Sequence, residues 1–503
     1  MRHDQPYLLA IDQSTSGTKA LLVHRSGDIV ARSSLEHRQH YPQPGWVEHD
    51  PLEIYDNVKK AAGDVLRKAG IAPASVAGLT ITNQRETALV WDRTTGRPVY
   101  NAIVWQCQRT ADQCERYKQE GHEGTVRAKT GLMLDPYFSA AKFKWILDHA
   151  NGAQRLLAEG KLLAGTIDSW LVWKLTGGKV HATDYTNASR TSLFNIHTQA
   201  WDEELARLFG VPLSLLPEVR ASDALYGCTE DADFPAAGVP ISGVIGDSQG
   251  ALYGQQCLER GMAKATYGTG TSVLMNVGDR PIDGGDGLVT AIAWGAGGKV
   301  TYALEAVIRT SGDSIKWTRD NLGLFGDFEE LNRLVASTQG NDGVYLVPAF
   351  VGLGAPYWDP YARAALVGMS RGTGKAHILR AALESIAYQV RDAVELIESR
   401  SGIRLRGLRA DGGASANAWL MQFQADMLGS AVMRSACAEL SALGSVYLGG
   451  LGLGMWNDLS ECSSGPAQHD IYEPSMDEDT RSRNYRGWQE AVRSAMSFSV
   501  IRQ

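Results

Sequence analysis

Two short apolar runs open the chain, Tyr7-Leu8-Leu9-Ala10-Ile11 and Ala20-Leu21-Leu22-Val23, and a polar turn from Asp12 to Thr18 separates them. Apolar runs of strand length around a Ser/Thr/Gly turn predict a β-hairpin. The same shape returns midway, as Lys264-Ala265-Thr266-Tyr267, the turn Gly268-Thr269-Gly270-Thr271-Ser272, and Val273-Leu274-Met275. Two such hairpins, each opening about half of the chain, predict an internal duplication. Val76 to Ile81 and Ile241 to Ile245 read as strands, the second beginning after Pro240, where a strand tolerates proline. The spacing of apolar positions predicts helices near 52–69, 137–149, 166–175 and 202–209, and a strand near Val344 to Pro348. It also predicts a long amphipathic helix from about Lys375 to Ser399. Alternating strands and helices predict an α/β fold. The candidate domain boundary lies near 250–262, dividing the chain into 1–255 and 256–503. No low-complexity linker marks it, so two directly packed domains with a cleft between them are expected.

Composition narrows the function classes. The 503 residues leave room for two to four domains, at roughly 100–200 residues each. Apolar residues are 44% and charged residues 21%, as in ordinary soluble globular proteins. A net charge of −7 argues against a nucleic-acid partner. It leaves room for a phosphate ligand, which backbone N–H groups and a metal can hold without bulk charge. The six cysteines form no C-x-x-C and no zinc-finger spacing, so reduced thiols in a cytoplasmic protein are expected. Met1 to Gln5 lead straight into the first apolar run without a signal-peptide core. The uncharged stretch from Glu439 to Asp458 is rich in Gly and Ser and reads as a buried helix rather than a membrane span.

Several strand-end segments could carry chemistry. The first turn, Asp12-Gln13-Ser14-Thr15-Ser16-Gly17-Thr18-Lys19, offers backbone N–H groups and hydroxyls to phosphate oxygens. Asp12 could hold a Mg²⁺ ion bridging those oxygens, and Lys19 adds a point charge. An ordinary surface hairpin would use the same residue types. The second turn has the same character, and two such loops could clamp a triphosphate from both sides. Asp247, after a short apolar strand, could cap a helix or act as a general base towards an attacking hydroxyl. Gly246 to Gly250 also spell G-x-S-x-G, which would make Ser248 a hydrolase nucleophile, although no oxyanion-hole run accompanies it. Arg85 and Glu86 follow another strand and could donate to and accept from a polyhydroxylated molecule, or simply pair on a loop. Trp105 and Tyr137 could pack against its carbon backbone, or be core. Leu408 to Asn417 end a strand in glycines and start a helix, which could admit a flat base and an anionic group. The chain has no G-x-x-x-x-G-K-[ST], no G-x-G-x-x-G and no H-E-x-x-H.

In this order the segments resemble the FGGY carbohydrate kinases, from about residue 7 to 456. One family signature is matched from Tyr137 to His149, the other from Ala364 to Met369 followed by His377 to Glu384. Gly45 to Pro51, Asn83 to Thr87, Asn101 to Gln106 and Gly352 to Pro360 are similar to the glycerol-phosphorylating branch. The resemblance implies two actin-like, RNase-H-like domains around a cleft, with a polyol on the first and ATP mainly on the second. It implies Asp247 as general base, and Asp12 and Asp247 around Mg²⁺. Arg85, Glu86, Trp105, Tyr137, Asp247 and Ser248 would hold the polyol. Thr15, Ser16, Gly17, Lys19, Thr269 and Gly270 would line the phosphate path. Gly312, Lys316, Gly413, Ala414 and Asn417 would meet the rest of the nucleotide. Four positions depart from the branch: Ser248 where Gln is usual, Ser272 for Phe, Lys316 for Gln and Ser14 for Gly. Ser272 should leave the pocket wider and more polar, so a four-carbon polyol such as erythritol is a possible alternative substrate. A kinase for a ketose, or an actin- or Hsp70-like ATPase, stays open beside it. The expected assembly is a homo-oligomer, dimer or tetramer.

Overall fold

The computed structural model describes residues 6–359, 361–462 and 469–497. Met1 to Gln5, and Pro360 of the Gly352–Pro360 segment, lie outside the described residues.

The first hairpin is β1 (Tyr7–Gln13) and β2 (Gly17–His24), continued by β3 (Ile29–Glu36), β4 (Val76–Asn83) and β5 (Ile241–Gly246). The sheet runs β5-β4-β1-β2-β3. β1, β2 and β3 are antiparallel, whereas β4 lies parallel to β1 and β5 parallel to β4. β1 is buried over nearly its whole length, as expected of a strand covered on both faces. The second hairpin is β6 (Met262–Tyr267) and β7 (Thr271–Gly278). With β8 (Val289–Ala296), β9 (Lys299–Ile308), β10 (Gly407–Asp411), β11 (Val432–Ser435) and β12 (His469–Tyr472) it forms a sheet in the order β8-β9-β7-β6-β10-β11-β12. Its inner five strands repeat the first sheet strand for strand, with the same polarity at every pairing. The duplication read from the two turns is therefore a duplication of topology.

Helices cover the sheets. In α1 (Pro51–Ala69), Asp50 caps the start by accepting from the Leu52 N–H at 2.8 Å, Pro51 fills the first turn, and Gly70 ends the helix at φ 67°. Its apolar stripe, Ile54, Val58, Ala61, Ala62 and Val65, is buried. Further along are α2 (Asp247–Gly254), α3 (Gly312–Asp320), the long α4 (Lys375–Ser401), α5 (Ala418–Leu428) and α6 (Leu440–Gly452). Helices Ser139–His149, Ile167–Leu175 and Glu203–Phe209, and strand Tyr345–Val347, also fall where the apolar spacing predicts them.

The glycine-rich stretch is indeed a buried helix, but it belongs to the other half in space. α6 packs on α2, β5, β4 and β1 of the first sheet. A methyl group on Gly444 would lie 1.9 Å from the Gly250 carbonyl oxygen, and one on Gly254 2.1 Å from that of Leu440. Only glycine permits this backbone-to-backbone approach. The Thr80 and Ser445 hydroxyls bond at 2.9 Å across the same contact. Among the described residues no helix is long and apolar enough to cross a membrane.

Candidate active site

Arg85 and Glu86 follow β4, and Asp247 begins α2 directly after β5. These are the carboxyl ends of parallel strands, where open α/β sheets place ligand-facing groups. Asp247 is not the helix cap; Gly246 holds that position. One Asp247 carboxylate oxygen accepts from the Ser248 N–H at 2.7 Å and lies 3.2 Å from Arg85 Nε. Its side chain is 37% exposed, beside an Arg85 that is 6% exposed. Arg85 thus presents a carboxylate to open space while being itself buried.

Arg85 also reaches the second half. Its Nη2 donates to Glu305 Oε1 at 3.2 Å, from β9, and its Nη1 donates to Gln249 Oε1 at 3.3 Å. Arg190 completes a buried ring, donating to Glu86 Oε1 at 2.5 Å and to Glu305 Oε2 at 2.7 Å. Burial pushes the Glu305 carboxyl up, but Arg190 and Arg85 outweigh it and hold it at about 2. Burial wins at Glu86, whose carboxyl sits above its ordinary value despite Arg190 and Arg85. Glu86 also adopts φ 60°, a region that residues other than glycine seldom occupy. Such strain persists where surrounding structure over-determines it, and it concentrates at functional sites. Here the Glu86 carbonyl accepts from Ser139 Oγ at 3.0 Å and from the buried Lys142 ammonium at 3.4 Å.

Trp105 and Tyr137 form the adjoining wall, with ring centroids 5.4 Å apart. Trp105 Nε1 donates to Thr15 Oγ1 of the first turn at 2.9 Å. Lys142 holds the backbone at Tyr137 by donating to its carbonyl at 2.5 Å. Ser272, on β7 just after the second turn, donates to Glu305 Oε1 at 3.2 Å. Ser248 is half-buried beside Asp247. Among the described residues no histidine bonds to its hydroxyl, so the G-x-S-x-G segment lacks the base a serine hydrolase needs.

Both phosphate-type turns are tight. Ser14 closes the first by bonding the Gly17 carbonyl through its N–H at 2.9 Å and its hydroxyl at 3.0 Å. Ser16 points into solvent, while Lys19 pairs with Glu439 at 2.9 Å. The second turn is tied to the start of α3: Ser311 N–H donates to the Thr269 carbonyl at 2.8 Å and Gly312 N–H to that of Gly268 at 3.0 Å. A methyl on Gly270 would lie 2.3 Å from the Ile308 carbonyl oxygen. Thr269 is exposed at the tip.

Asp12 is buried at the end of β1. Burial first, then Asp247 and Glu439, push its carboxyl up to about 7 against the opposing Lys19. A carboxylate whose proton affinity is raised mainly by burial would be held in its charged form by a bound cation. Among the described residues no three His, Cys, Asp or Glu side chains form a metal cage. Two carboxylates are sufficient for Mg²⁺, which usually takes its remaining oxygens from phosphate and water.

The remaining predicted positions gather near the second turn. A methyl on Gly312 would touch Ala414 Cβ at 3.8 Å. Gly413 is open, with nothing near its missing side chain. Asn417 caps α5, accepting from the Leu420 N–H at 2.9 Å, and donates to Asn332 Oδ1 at 2.8 Å. Lys316 is exposed on α3. Reading the sequence missed Arg190, Glu305 and Gln249. Glu305 left a signal, a lone charge in the apolar strand Ala303-Leu304-Glu305-Ala306-Val307. Arg190, in a polar loop, left none.

Two duplicated actin-like domains meeting at a polar, strand-end site define a two-domain kinase. The FGGY family of carbohydrate kinases, N-terminal domain, matches residues 7–254, and its C-terminal domain matches residues 263–453. The chain belongs to this family and is a phosphotransferase with an alcohol group as acceptor. Glycerol kinase of Aliivibrio fischeri (strain MJ11) is 50% identical over 498 residues, covering 99% of both chains. Glycerol kinase of Xanthomonas campestris pv. campestris (strain ATCC 33913) is 51% identical over 497 residues, covering 99% of this chain and 100% of its own. The solved structure of Plasmodium falciparum glycerol kinase with ADP superposes with a TM-score of 0.93 at 36% identity, covering 97% of this chain and 98% of that one.

Proposed function

We propose that the chain transfers the γ-phosphoryl group of ATP to a primary hydroxyl of glycerol or a closely related small polyol. The observation that carries this is the path from Asp247 through Arg85 and Glu305 to Ser272, which joins the carboxylate after β5 to the base of the second turn, while Asp12 at the base of the first turn feels the Asp247 charge. A hydroxyl beside Asp247 and a terminal phosphate between the turns would share one space. Arg85, Glu86, Tyr137 and Ser248 orient the polyol, while Trp105 covers its carbon backbone. Asp247 takes the proton from the attacking oxygen. Thr15, Ser16, Gly17, Lys19, Thr269 and Gly270 line the phosphates, with Gly312, Lys316, Gly413, Ala414 and Asn417 towards the nucleoside. Asp12 and Asp247 are the carboxylates that would hold Mg²⁺, which when bound neutralises charge on phosphate oxygens. In this reading the first domain, 1–255, carries the polyol and the base, and the second, 256–503, the nucleotide. The full-length identity of about 50% to glycerol kinases supports glycerol, and the ADP of the Plasmodium relative supports the nucleotide.

One observation favours a longer substrate. Ser272 places a hydroxyl on the wall that meets Glu305, and Ser248 places another beside Asp247. A coupled ADP-release assay over glycerol, erythritol and ketoses tests both readings. Glycerol should give the highest kcat/KM; a clear preference for erythritol would move the assignment to a four-carbon polyol, and ADP release independent of any polyol would sink the kinase reading. Six free cysteines support a reducing, cytoplasmic setting, and light scattering should show a dimer or tetramer.

A further inference from the structure

A ring of hydrogen bonds, buried at His49, Gln84 and Thr87, ties the first phosphate turn to the Trp105 wall. Gln39 Nε2 donates to the Thr15 carbonyl at 2.9 Å, and Gln39 Oε1 accepts from His49 Nε2 at 2.7 Å. His49 Nδ1 accepts from Gln84 Nε2 at 3.3 Å, and that amide also donates to Gln13 Oε1 at 3.0 Å. Gln84 Oε1 accepts from Thr87 Oγ1 at 2.9 Å, and Thr87 Oγ1 accepts from the Trp105 N–H at 3.3 Å. Trp105 Nε1 closes the ring on Thr15 Oγ1 at 2.9 Å. Both arms of the ring donate from Trp105 towards Thr15, and the longer arm keeps that direction through His49 only if the imidazole is neutral and carries its proton on Nε2. A second proton on Nδ1 would face an amide donor. Burial, with His37 and His40 nearby, pushes the imidazole down to about 3, so the neutral form holds throughout the working range. The His37 ring packs edge-on against it at 4.4 Å.

We infer that His49 is a positioning residue which, through Gln39 and Gln84, couples occupancy of the first phosphate turn to closure of the Trp105 wall over the polyol. This rests on the proposed kinase reading, with nucleotide phosphates at Thr15 and a polyol against Trp105. A phosphate that orders the turn fixes the Thr15 carbonyl and hydroxyl, and both ends of the ring then hold Trp105 in place. Neither ligand needs to touch His49. Because binding free energies are reciprocal, the polyol must tighten nucleotide binding by the same factor.

The test is calorimetric titration of the full chain with glycerol, with and without Mg²⁺ and β,γ-imido-ATP. The native protein should bind glycerol about fivefold or more tightly in the presence of the analogue. His49→Leu should bring that ratio close to one. Gln39→Leu, at a half-buried position and therefore tolerant of the change, should do the same if the His49 variant fails to fold. Trp105→Phe opens the ring elsewhere, so Gln39→Leu combined with it should lose no more coupling than either alone. A lowered Tm with the coupling ratio intact would assign His49 a purely structural role and overturn the inference. So would additive losses in the double variant. If the native protein binds no glycerol in either condition, the kinase reading itself fails and this inference with it.

Discussion

The two halves carry the same sheet but distribute charge at its centre differently. In the first, Asp12 ends the central strand, opposite Lys19 across the hairpin and beside Thr82 on the parallel neighbour. In the second, Thr266 occupies that place, opposite Ser272, and the carboxylate has moved to Asp411 on the neighbouring strand. Each half therefore sets one Asp beside one Thr, transposed between adjacent strands. The consequence is local. Asp12 feels the charge of Asp247, and burial first, then Asp247 and Glu439, raise its proton affinity against the opposing Lys19. Asp411 is consumed internally by Gln255, which donates to it at 2.5 Å, and by Thr266. The duplication supplied two equivalent scaffolds, and exchanging two residues left one suited to reaction chemistry and the other to a neutral turn.

The sharpest way to break this comparison is to remove the carboxylate from each side. Asp247→Asn should lower kcat by about 10²–10⁴, the range for losing a general base. Asp411→Asn should leave kcat within about tenfold, since one factor of ten is only about 1.4 kcal/mol of barrier. Turnover by coupled ADP release, on variants whose circular dichroism matches the native protein, decides it. Equal losses would mean the halves share the chemistry. Next in size is a second-half carboxylate that enters the first half between two arginines. Glu305→Gln leaves Arg85 and Arg190 facing a neutral group in a buried site. Breaking a buried ion pair from one side costs about 3–5 kcal/mol, read as a shift of the urea midpoint. An unchanged midpoint would show that the ring contributes nothing to joining the halves.

What could be read from the sequence followed the same division. Both hairpins, the long helix and Asp247 at a strand end were legible because their signals are local: apolar spacing, turn residues and a polar residue just past a buried strand. The cross-half contacts were not. Arg190 meets Glu305 of the second half across 115 residues of chain, and even Glu86 of its own half lies 104 residues away. Nothing in the local pattern at Leu440–Gly452 tells that this helix, late in the chain, lies against the first sheet. Its glycines announce close packing but not the partner. The lone Glu305 in an apolar strand was the one long-range feature that left a trace, because a buried charge requires a partner somewhere.

The smallest expected effect concerns Lys142, which holds the first-half pocket from behind by bonding the Tyr137 and Glu86 carbonyls. Burial lowers its ammonium from the ordinary 10.5 to about 8, with Glu86 opposing. Below pH 8 both folded and unfolded chains hold the proton, and the cost of burying the charge is constant. Between about 8 and 10.5 the unfolded chain still holds a proton that the folded chain has released, so this group makes folding more favourable as pH rises. Lys142→Met removes the titration. The stability of the native protein relative to this variant should therefore be flat from pH 6 to 8 and then rise, by at most about 1.4 kcal/mol per pH unit. Urea midpoints at pH 6, 7, 8, 9 and 10 would show it. Parallel curves would mean that Lys142 keeps its charge behind the pocket, and that the strained backbone at Glu86 is held by a full ammonium at every pH.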